Sequence, residues 1–299
     1  MGMQADLLID RGRLKRHLGW WRAGAVVLGV ALLAALFGFG RGEGGAHVAR
    51  VTLRGFIADD PKLLDELARL RRAENVRAVL VMIDSPGGSV GGGEALFAAL
   101  AAIQQKKPVV AVMGGTAASA AYMAALPAAR VFAREMTVTG SIGVLMQSVD
   151  ASELLARIGV RGEALVSGPL KDQPSPFHPL SEEGRSVLQG VIADLHDQFV
   201  QRVATARQLP VEVVRPLADG RVFTGRQALA LRLVDAIGGE AEARAWLAQE
   251  KAVAESLPVR NVETRGRLER LLEASVSTAA KSVVSEWLGV DGFRLLWQP

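Results

Sequence analysis

Three serines lie among small residues, where a hydroxyl group is accessible enough to attack a carbonyl carbon. Ser119 lies in the segment Gly114–Ala125 (GGTAASAAYMAA), whose glycines and alanines would let a substrate backbone come close. It also falls near the start of a predicted helix, where backbone N–H groups are unpaired. Taken alone, this pattern is more typical of a helix cap or a small core residue than of a nucleophile.

Ser89 and Ser141 are the competing hydroxyls. Ser89 completes a Gly-x-Ser-x-Gly match between a predicted strand and a predicted helix, which is the setting of the nucleophile elbow in α/β-hydrolases. Pro86 and two glycines separate it from the strand, whereas an elbow is a sharp turn. Ser141 follows Thr139-Gly140 and is more typical of a strand or turn hydroxyl that hydrogen-bonds a catalytic group.

A serine nucleophile needs a base, and the chain offers three histidines and one distinctive lysine outside its N-terminal region. His47 precedes the first predicted strand, His196 lies in a long helical pattern, and His178 lies in a loop. Lys171 lies in a loop rich in Gly, Pro and Ser. A lysine amine acts as a base only where burial disfavours its charged form, so Lys171 remains open as either a base or a solvated loop residue.

The loop Ser85–Gly88 (SPGG) follows a buried strand and exposes backbone N–H groups that no side chain shields. Such groups can stabilise a developing oxyanion, although a plain strand-to-helix turn has the same composition.

Composition limits the possible chemistry. The 299 residues contain no cysteine, which excludes disulfides, Cys-ligated zinc and a cysteine nucleophile. The net charge is +4 without a long basic block, and a single tyrosine is present, which argues against nucleic-acid binding. A hydrophobic fraction of 49% in a chain of this length is enough for a large buried core.

The N-terminal region predicts a membrane anchor. Residues 23–40 carry no charge and would span about 27 Å as a helix, close to the hydrocarbon thickness of a bilayer. More basic residues precede the segment than follow it, so we expect residues 1–22 in the cytoplasm and the rest exported. A cleaved signal peptide is the competing interpretation, but the apolar run is longer than a typical signal core.

The remaining chain alternates apolar β-branched runs with helical patterns. Strands are predicted at Val48–Ile57, Arg77–Asp84 and Thr137–Met146, with helices between them. This alternation predicts an α/β fold with a mostly parallel sheet. A long helix is predicted from Ser181, and another over 263–287.

Five segments together resemble the signal peptide peptidase A (SppA) family, the membrane-anchored Ser/Lys proteases of the Clp protease and crotonase-like fold. They are DSPGGSV (84–90), GGTAASAAYMAA (114–125), TVTGSIGV (137–144), SGPLKDQPSP (167–176) and GRVFTGRQALALRLVDAIGG (220–239). The resemblance implies repeated ββα units. The expected organisation is a cytoplasmic N-terminus (1–22), a transmembrane anchor (23–40), a linker (41–47), a peptidase domain (48–250) and a C-terminal helical oligomerisation segment (251–299).

The resemblance also implies a site. Ser119 would be the nucleophile, Lys171 the general base and Ser141 the residue that orients the lysine amine. The oxyanion hole would consist of backbone N–H groups of Gly87, Gly88 and Ala120. No metal ion or cofactor is implied.

The family's biology supplies further expectations. It implies hydrophobic peptides such as released signal peptides as substrates, and a homo-oligomeric ring, a tetramer or an octamer. It also implies a single-pass protein of the bacterial inner membrane whose catalytic domain faces the extracytoplasmic side.

One departure from the family pattern is relevant to activity. Two glycines usually follow the nucleophile, whereas this chain has Ala120 and Ala121. If the first position needed a positive φ, alanine would cost about 1–2 kcal/mol or displace the oxyanion donor. Two alternatives therefore stay open: a peptide-binding membrane scaffold of the same fold with a weakened site, and an esterase that uses Ser89 with His178.

Overall fold

The computed structural model describes residues 19–30 and 45–262, and the chain divides into two units, Met1–Gly45 and Ala46–Pro299. In the first unit, residues 19–30 form a helix, α1. Within these described ranges no helix is long and apolar enough to cross a bilayer. The predicted anchor at 23–40 is helical as far as residue 30, and its remainder lies outside the described residues.

The second unit is built on one eight-stranded sheet in the order β6-β5-β3-β2-β1-β8, with β4 paired to β3 and β7 paired to β4. All pairings are parallel except β5 with β6, which confirms the predicted mixed α/β fold with a mostly parallel sheet. The strands are β1 (His47–Ile57), β2 (Val76–Gly88), β3 (Val109–Ala118), β4 (Arg130–Ala133), β5 (Val138–Gly140), β6 (Val222–Thr224), β7 (Ala236–Ile237) and β8 (Val259–Asn261).

Helices connect the strands in the order that parallel pairing requires. They are α2 (Pro61–Arg72), α3 (Val90–Gln104), α4 (Ala120–Ala125), α5 (Ser152–Arg157), α6 (Glu182–Arg207), α7 (Val211–Val214), α8 (Gly225–Ala230) and α9 (Glu240–Lys251), with a 3₁₀ turn at Arg215–Leu217. The expected caps are present. Ser181 accepts a hydrogen bond from the Gly184 N–H at the start of α6, and Thr224 forms a capping box with Gln227 at α8.

The central strand β2 shows why an almost continuous apolar run forms here. Successive side chains point to opposite faces, so a strand covered by helices on both faces needs apolar residues at every position. Val79, Val81 and Ile83 pack on one face in the main core, together with residues of α2, α3, α4 and α6. Ala78 and Leu80 pack on the other face against α9 and its neighbours.

Several boundaries differ from the sequence-based expectations. The strand expected to end at Asp84 continues to Gly88, so Ser85–Gly88, expected as a loop, pairs as the last part of β2. His47, assigned to the linker, is the first residue of β1. The segment 251–299 is not wholly a separate helical extension, because Val259–Asn261 pairs with β1 inside the same sheet. The strand expected at Thr137–Met146 is limited to Val138–Gly140, since the chain leaves the sheet at Ser141 with a positive φ. The helix predicted at 263–287 lies outside the described residues.

Candidate active site

Ser119 lies at a sharp junction between β3 and α4. Its φ of 54° and ψ of −121° fall outside the common regions for a residue with a side chain. Such a backbone conformation costs on the order of 1–3 kcal/mol and persists only where the surroundings enforce it. The Ser119 hydroxyl makes no capping hydrogen bond to α4 and therefore has no structural role at the start of that helix. A strained serine between a strand and a helix is the geometry of a nucleophile elbow.

The glycine loop, Ser85–Gly88, is the last part of β2 and packs directly on this serine. A Cβ atom at Gly87 would lie 2.9 Å from the Ser119 Cβ and 3.4 Å from the Ala120 nitrogen, and Gly87 has a φ of +119°. A Cβ atom at Gly88 would lie 1.9 Å from the Ile57 carbonyl oxygen. Only glycine permits these two approaches. The loop and the serine therefore form one site.

The amide groups of the two glycines point in different directions. The Gly87 N–H donates to Ser85 Oγ at 3.1 Å. The Ser89 N–H donates to the Ile57 carbonyl in β1 at 2.8 Å. Because N–H groups alternate in direction along an extended strand, we expect the Gly88 N–H on the side away from β1, which is the side of β3. The Gly87 N–H, one of the two glycine amides expected in an oxyanion hole, is thus already hydrogen-bonded to Ser85.

Ser141 enters the same region through β5. The Ser119 N–H donates to the Gly140 carbonyl at 2.9 Å, so Ser141 immediately follows the residue that holds the nucleophile's backbone. Ser141 has a φ of 48°, and its N–H donates to the Arg221 carbonyl at 2.8 Å. The ends of β2, β3 and β5 thus converge at one edge of the sheet, as parallel strands allow.

Lys171 is not joined to these residues in the single chain. It is exposed, in a turn closed by its own N–H donating to the Gly168 carbonyl at 3.1 Å. Among the described residues, neither the Lys171 amine nor the Ser119 hydroxyl has a hydrogen-bond partner. The turn belongs to an extended arm, residues 144–180, whose only regular element is α5. The described chain thus places Gly87 and Gly140, the residue before Ser141, against Ser119, and it gives Lys171 no hydrogen bond to any of them.

The histidines do not form a triad with any of the three serines. The His178 ring is 2.9 Å from an Asp172 carboxylate oxygen, and this hydrogen bond raises the pKa of His178 above its usual value. His196 contacts the Ala218 carbonyl at 2.6 Å, and His47 is buried at the start of β1. Each ring is therefore placed by a local contact or by the core.

Ser89 has a structural role. Its φ of −67° and ψ of 149° are ordinary extended values, and its hydroxyl accepts a hydrogen bond from the Gly92 N–H as the cap of α3. The elbow conformation that the Gly-x-Ser-x-Gly match predicted at Ser89 occurs at Ser119 instead. This removes the observation that favoured an esterase based on Ser89.

Ala120 does not carry the strain that its replacement of glycine suggested. It is the first residue of α4 and is not among the residues with positive φ. The strained position is the serine itself. A Cβ atom at Gly93 of α3 would lie 2.9 Å from the Ala120 methyl group, so the glycine at position 93 makes room for that methyl. Among the described residues there is also no cluster of side chains suited to a metal ion.

Comparison with known proteins decides the family. The model for peptidase family S49 matches residues 101–254, slightly more than half of the chain. The chain belongs to peptidase family S49. The match includes Ser119, Ser141 and Lys171, whereas Gly87 and Gly88 precede it. As an S49 member with relatives named as proteases, the protein is a serine-type endopeptidase. The resemblance to the SppA family is confirmed.

Two relatives of this S49 chain each match about two thirds or more of its length. A Synechocystis protein named as a protease is 40% identical over 203 residues, which cover 67% of this chain and 73% of the relative. An Enterococcus faecium protein named as a signal peptide peptidase is 32% identical over 229 residues, covering 72% and 67%. Among solved structures, the 1510-N membrane-bound stomatin-specific protease with a substrate peptide covers 78% of this chain and 99% of its own, with 14% identity and a TM-score of 0.47.

The sequence motifs did not reveal two features of the S49 site. The first is the positive φ of Ser119, and the second is the hydrogen bonding of Ser85, which is fully buried. The sequence signal for Ser85 was a hydroxyl residue that follows Asp84 at the end of a mostly apolar strand.

Proposed function

We propose that this S49 peptidase cleaves peptide bonds with a Ser119–Lys171 dyad through an acyl-enzyme. The observation that carries the proposal is the strained elbow at Ser119, against which Gly87 of the glycine loop packs directly. A hydroxyl that makes no capping bond, with backbone donors beside it, suits attack on a carbonyl and stabilisation of the resulting oxyanion.

In this mechanism the neutral Lys171 amine removes the proton from Ser119 as the hydroxyl oxygen attacks the carbonyl carbon. The N–H groups of Gly88 and Ala120 stabilise the tetrahedral oxyanion. The protonated lysine then gives its proton to the departing amine. A water molecule activated by Lys171 hydrolyses the acyl-enzyme, and Ser141 orients the lysine.

The dyad requires the Lys171 amine to approach the Ser119 hydroxyl and to be shielded from water, because burial favours the neutral form of a lysine. The arm that carries Lys171 presents many large apolar side chains to solvent in the single chain, a pattern typical of protein interfaces. They are Leu145, Met146, Val149, Leu154, Ile158, Val160, Leu165, Val166 and Phe177. We infer that a neighbouring copy covers this arm in a homo-oligomeric ring and so supplies the burial that the lysine needs. This differs from the expectation that residues 251–299 alone provide the contact.

The substrate class and location follow from the family and the N-terminal sequence. We propose that the protein is anchored by residues 23–40 in the bacterial inner membrane, with its peptidase domain outside the cytoplasm. A site just beyond the bilayer would receive hydrophobic peptides such as released signal peptides.

The test is hydrolysis of a fluorogenic peptide with an apolar residue before the scissile bond, by the full chain in detergent. Ser119→Ala and Lys171→Ala should each abolish cleavage, while Ser89→Ala should retain it and lose only a helix cap. Activity that survives Ser119→Ala would overturn the proposal. Activity that survives Lys171→Ala would exclude Lys171 as the general base but would be compatible with Ser119 as the nucleophile. Light scattering on the same samples should show an oligomer, and a monomer at high protein concentration would contradict the ring.

A further inference from the structure

Ser85 is a fully buried polar residue beside the proposed oxyanion hole. Its side chain is 0% exposed. Its hydroxyl donates to the Gly55 carbonyl at 2.6 Å and accepts the Gly87 N–H at 3.1 Å. A longer contact of 3.3 Å to the Gly87 carbonyl competes for the same hydrogen, which goes to the nearer oxygen. The hydroxyl therefore links β1 to the glycine loop.

The regular strand pairing is interrupted on both sides of Ser85. The register of β1 with β2 shifts between Arg54 and Phe56, at Gly55, whose φ is +67°. The register of β2 with β3 shifts between Ile83 and Ser85. At such irregularities the ladder leaves backbone groups unpaired. The Ser85 hydroxyl satisfies two of these groups, Gly55 C=O and Gly87 N–H.

We propose that Ser85 is a positioning residue that fixes the orientation of the Gly88 amide toward the oxyanion; this inference rests on the proposed function. The Gly87 N–H is tied to Ser85 Oγ on the β1 side, and the Ser89 N–H donates to Ile57 of β1. Alternation along the strand therefore turns the Gly88 amide between them to the β3 side, which leads into Ser119. The Ser89 N–H bond to the Ile57 carbonyl holds the C-terminal side of Gly88. Ser85 holds the N-terminal side through the Gly87 N–H, next to a glycine whose φ of +119° leaves several peptide orientations open.

Catalysis is sensitive to this orientation. An oxyanion donor must lie at about 2.7–3.1 Å from the place where the negative charge develops, and complete loss of one donor lowers kcat by roughly 10²–10³. Misorientation of a donor that is still present costs less. Ser85→Ala should therefore lower kcat by about 10- to 100-fold with little change in KM, since the donor acts mainly in the transition state.

Thr137 offers a matched control. Its hydroxyl is also buried, accepts the Arg134 N–H at 2.9 Å and donates to the Gly114 carbonyl at 2.7 Å. Thr137→Val thus removes one donated and one accepted hydrogen bond, as Ser85→Ala does, but away from the glycine loop. If Ser85 only stabilised the fold, the two variants would lose activity equally after correction for the folded fraction.

The experiment measures kcat and KM for the parent, Ser85→Ala, Ser85→Cys and Thr137→Val, together with the inhibition constant of a peptide boronate that mimics the tetrahedral intermediate. We expect kcat and boronate affinity to fall together in Ser85→Ala, less in Ser85→Cys, whose thiol is a weaker hydrogen-bonding group, and by less than about twofold in Thr137→Val. If Ser85→Ala does not fold, the same comparison is made with Ser85→Cys.

The inference is overturned if the kcat of the Ser85 variant lies within about twofold of the parent, or falls no further than that of Thr137→Val. A fall in kcat without loss of boronate affinity also overturns it. Failure of the proposed function has a different signature, because then either the parent cleaves no peptide or Ser119→Ala retains cleavage, whatever the behaviour of Ser85.

Discussion

Gly87→Ala is the substitution that most directly probes the packing of the glycine loop on the nucleophile. The new methyl would lie 2.9 Å from the Ser119 Cβ and 3.0 Å from the Ala118 carbonyl oxygen. The backbone would also have to keep a φ of +119° with a side chain present. A positive φ costs about 1–2 kcal/mol, and overpacking a tight core site costs about 1–3 kcal/mol. The free energy of unfolding should therefore fall by roughly 2–5 kcal/mol.

The effect on activity should exceed the effect on folding. The methyl presses on the Cβ of Ser119 itself, and a displacement of about 1 Å in a reacting group can cost about 10²-fold in rate. We expect kcat to fall by about 100-fold or more in protein that is still folded at low temperature. Urea unfolding gives the stability, and hydrolysis of the fluorogenic peptide gives the rate per folded molecule.

Gly91→Ala is the control from the same segment. A Cβ atom at Gly91 meets no atom within 4 Å, and Gly91 lies in the first turn of α3 with an ordinary φ. Since alanine favours helix over glycine by about 0.5–1 kcal/mol, this variant should keep its activity and gain a little stability. Equal behaviour of the two variants, or a Gly87→Ala enzyme within about threefold of the parent rate, would refute the packing argument.

Three further predictions concern groups outside the glycine loop. NMR titration should show the pKa of His178 raised by its hydrogen bond to Asp172 and restored by Asp172→Asn; the stabilisation is full below pH about 6.5 and disappears as the pH rises through the raised pKa. Arg207→Ala should lower the unfolding free energy in urea by about 3–5 kcal/mol, because it leaves Asp235 without its bidentate, largely buried partner, and a loss below about 1 kcal/mol would contradict this. Burial raises the pKa of Tyr122, the only tyrosine, so stability should fall as the pH rises above about 10, and ultraviolet absorbance should show its ionisation only on unfolding; a reversible titration in folded protein near the ordinary tyrosine pKa would contradict this.

The sheet was predictable because its signal is local. In β2 the apolar residues run without alternation, which is required when both faces of a strand are covered, and the structure confirms that arrangement. The short elements were less predictable. The helix predicted near Ser119 is only α4, which ends at Ala125, since Pro127 has no N–H with which to continue the helical hydrogen bonding. The pairing of Val259–Asn261 with β1 joins residues about 210 positions apart, so no local sequence pattern predicts it.

The position of Ser119 could be predicted from motif order, but its conformation could not. The positive φ depends on the Gly140 carbonyl of another strand, which holds the Ser119 N–H, and on Gly87, which packs against its Cβ. The same limitation explains why the concern about Ala120 was misplaced, because the motif does not show which residue of the turn carries the strain. The sequence also does not show what would bury Lys171, a residue that is exposed in the described chain.

The most direct test of the central claim is to identify the residue that becomes covalently modified when the full-length protein in detergent reacts with a fluorophosphonate. Peptide mass spectrometry should find the adduct on Ser119, with labelling lost in Ser119→Ala and strongly slowed in Lys171→Ala, because the lysine amine activates the hydroxyl. An adduct on Ser89 or Ser141, or hydrolytic activity in protein that remains unlabelled at Ser119, would contradict the account.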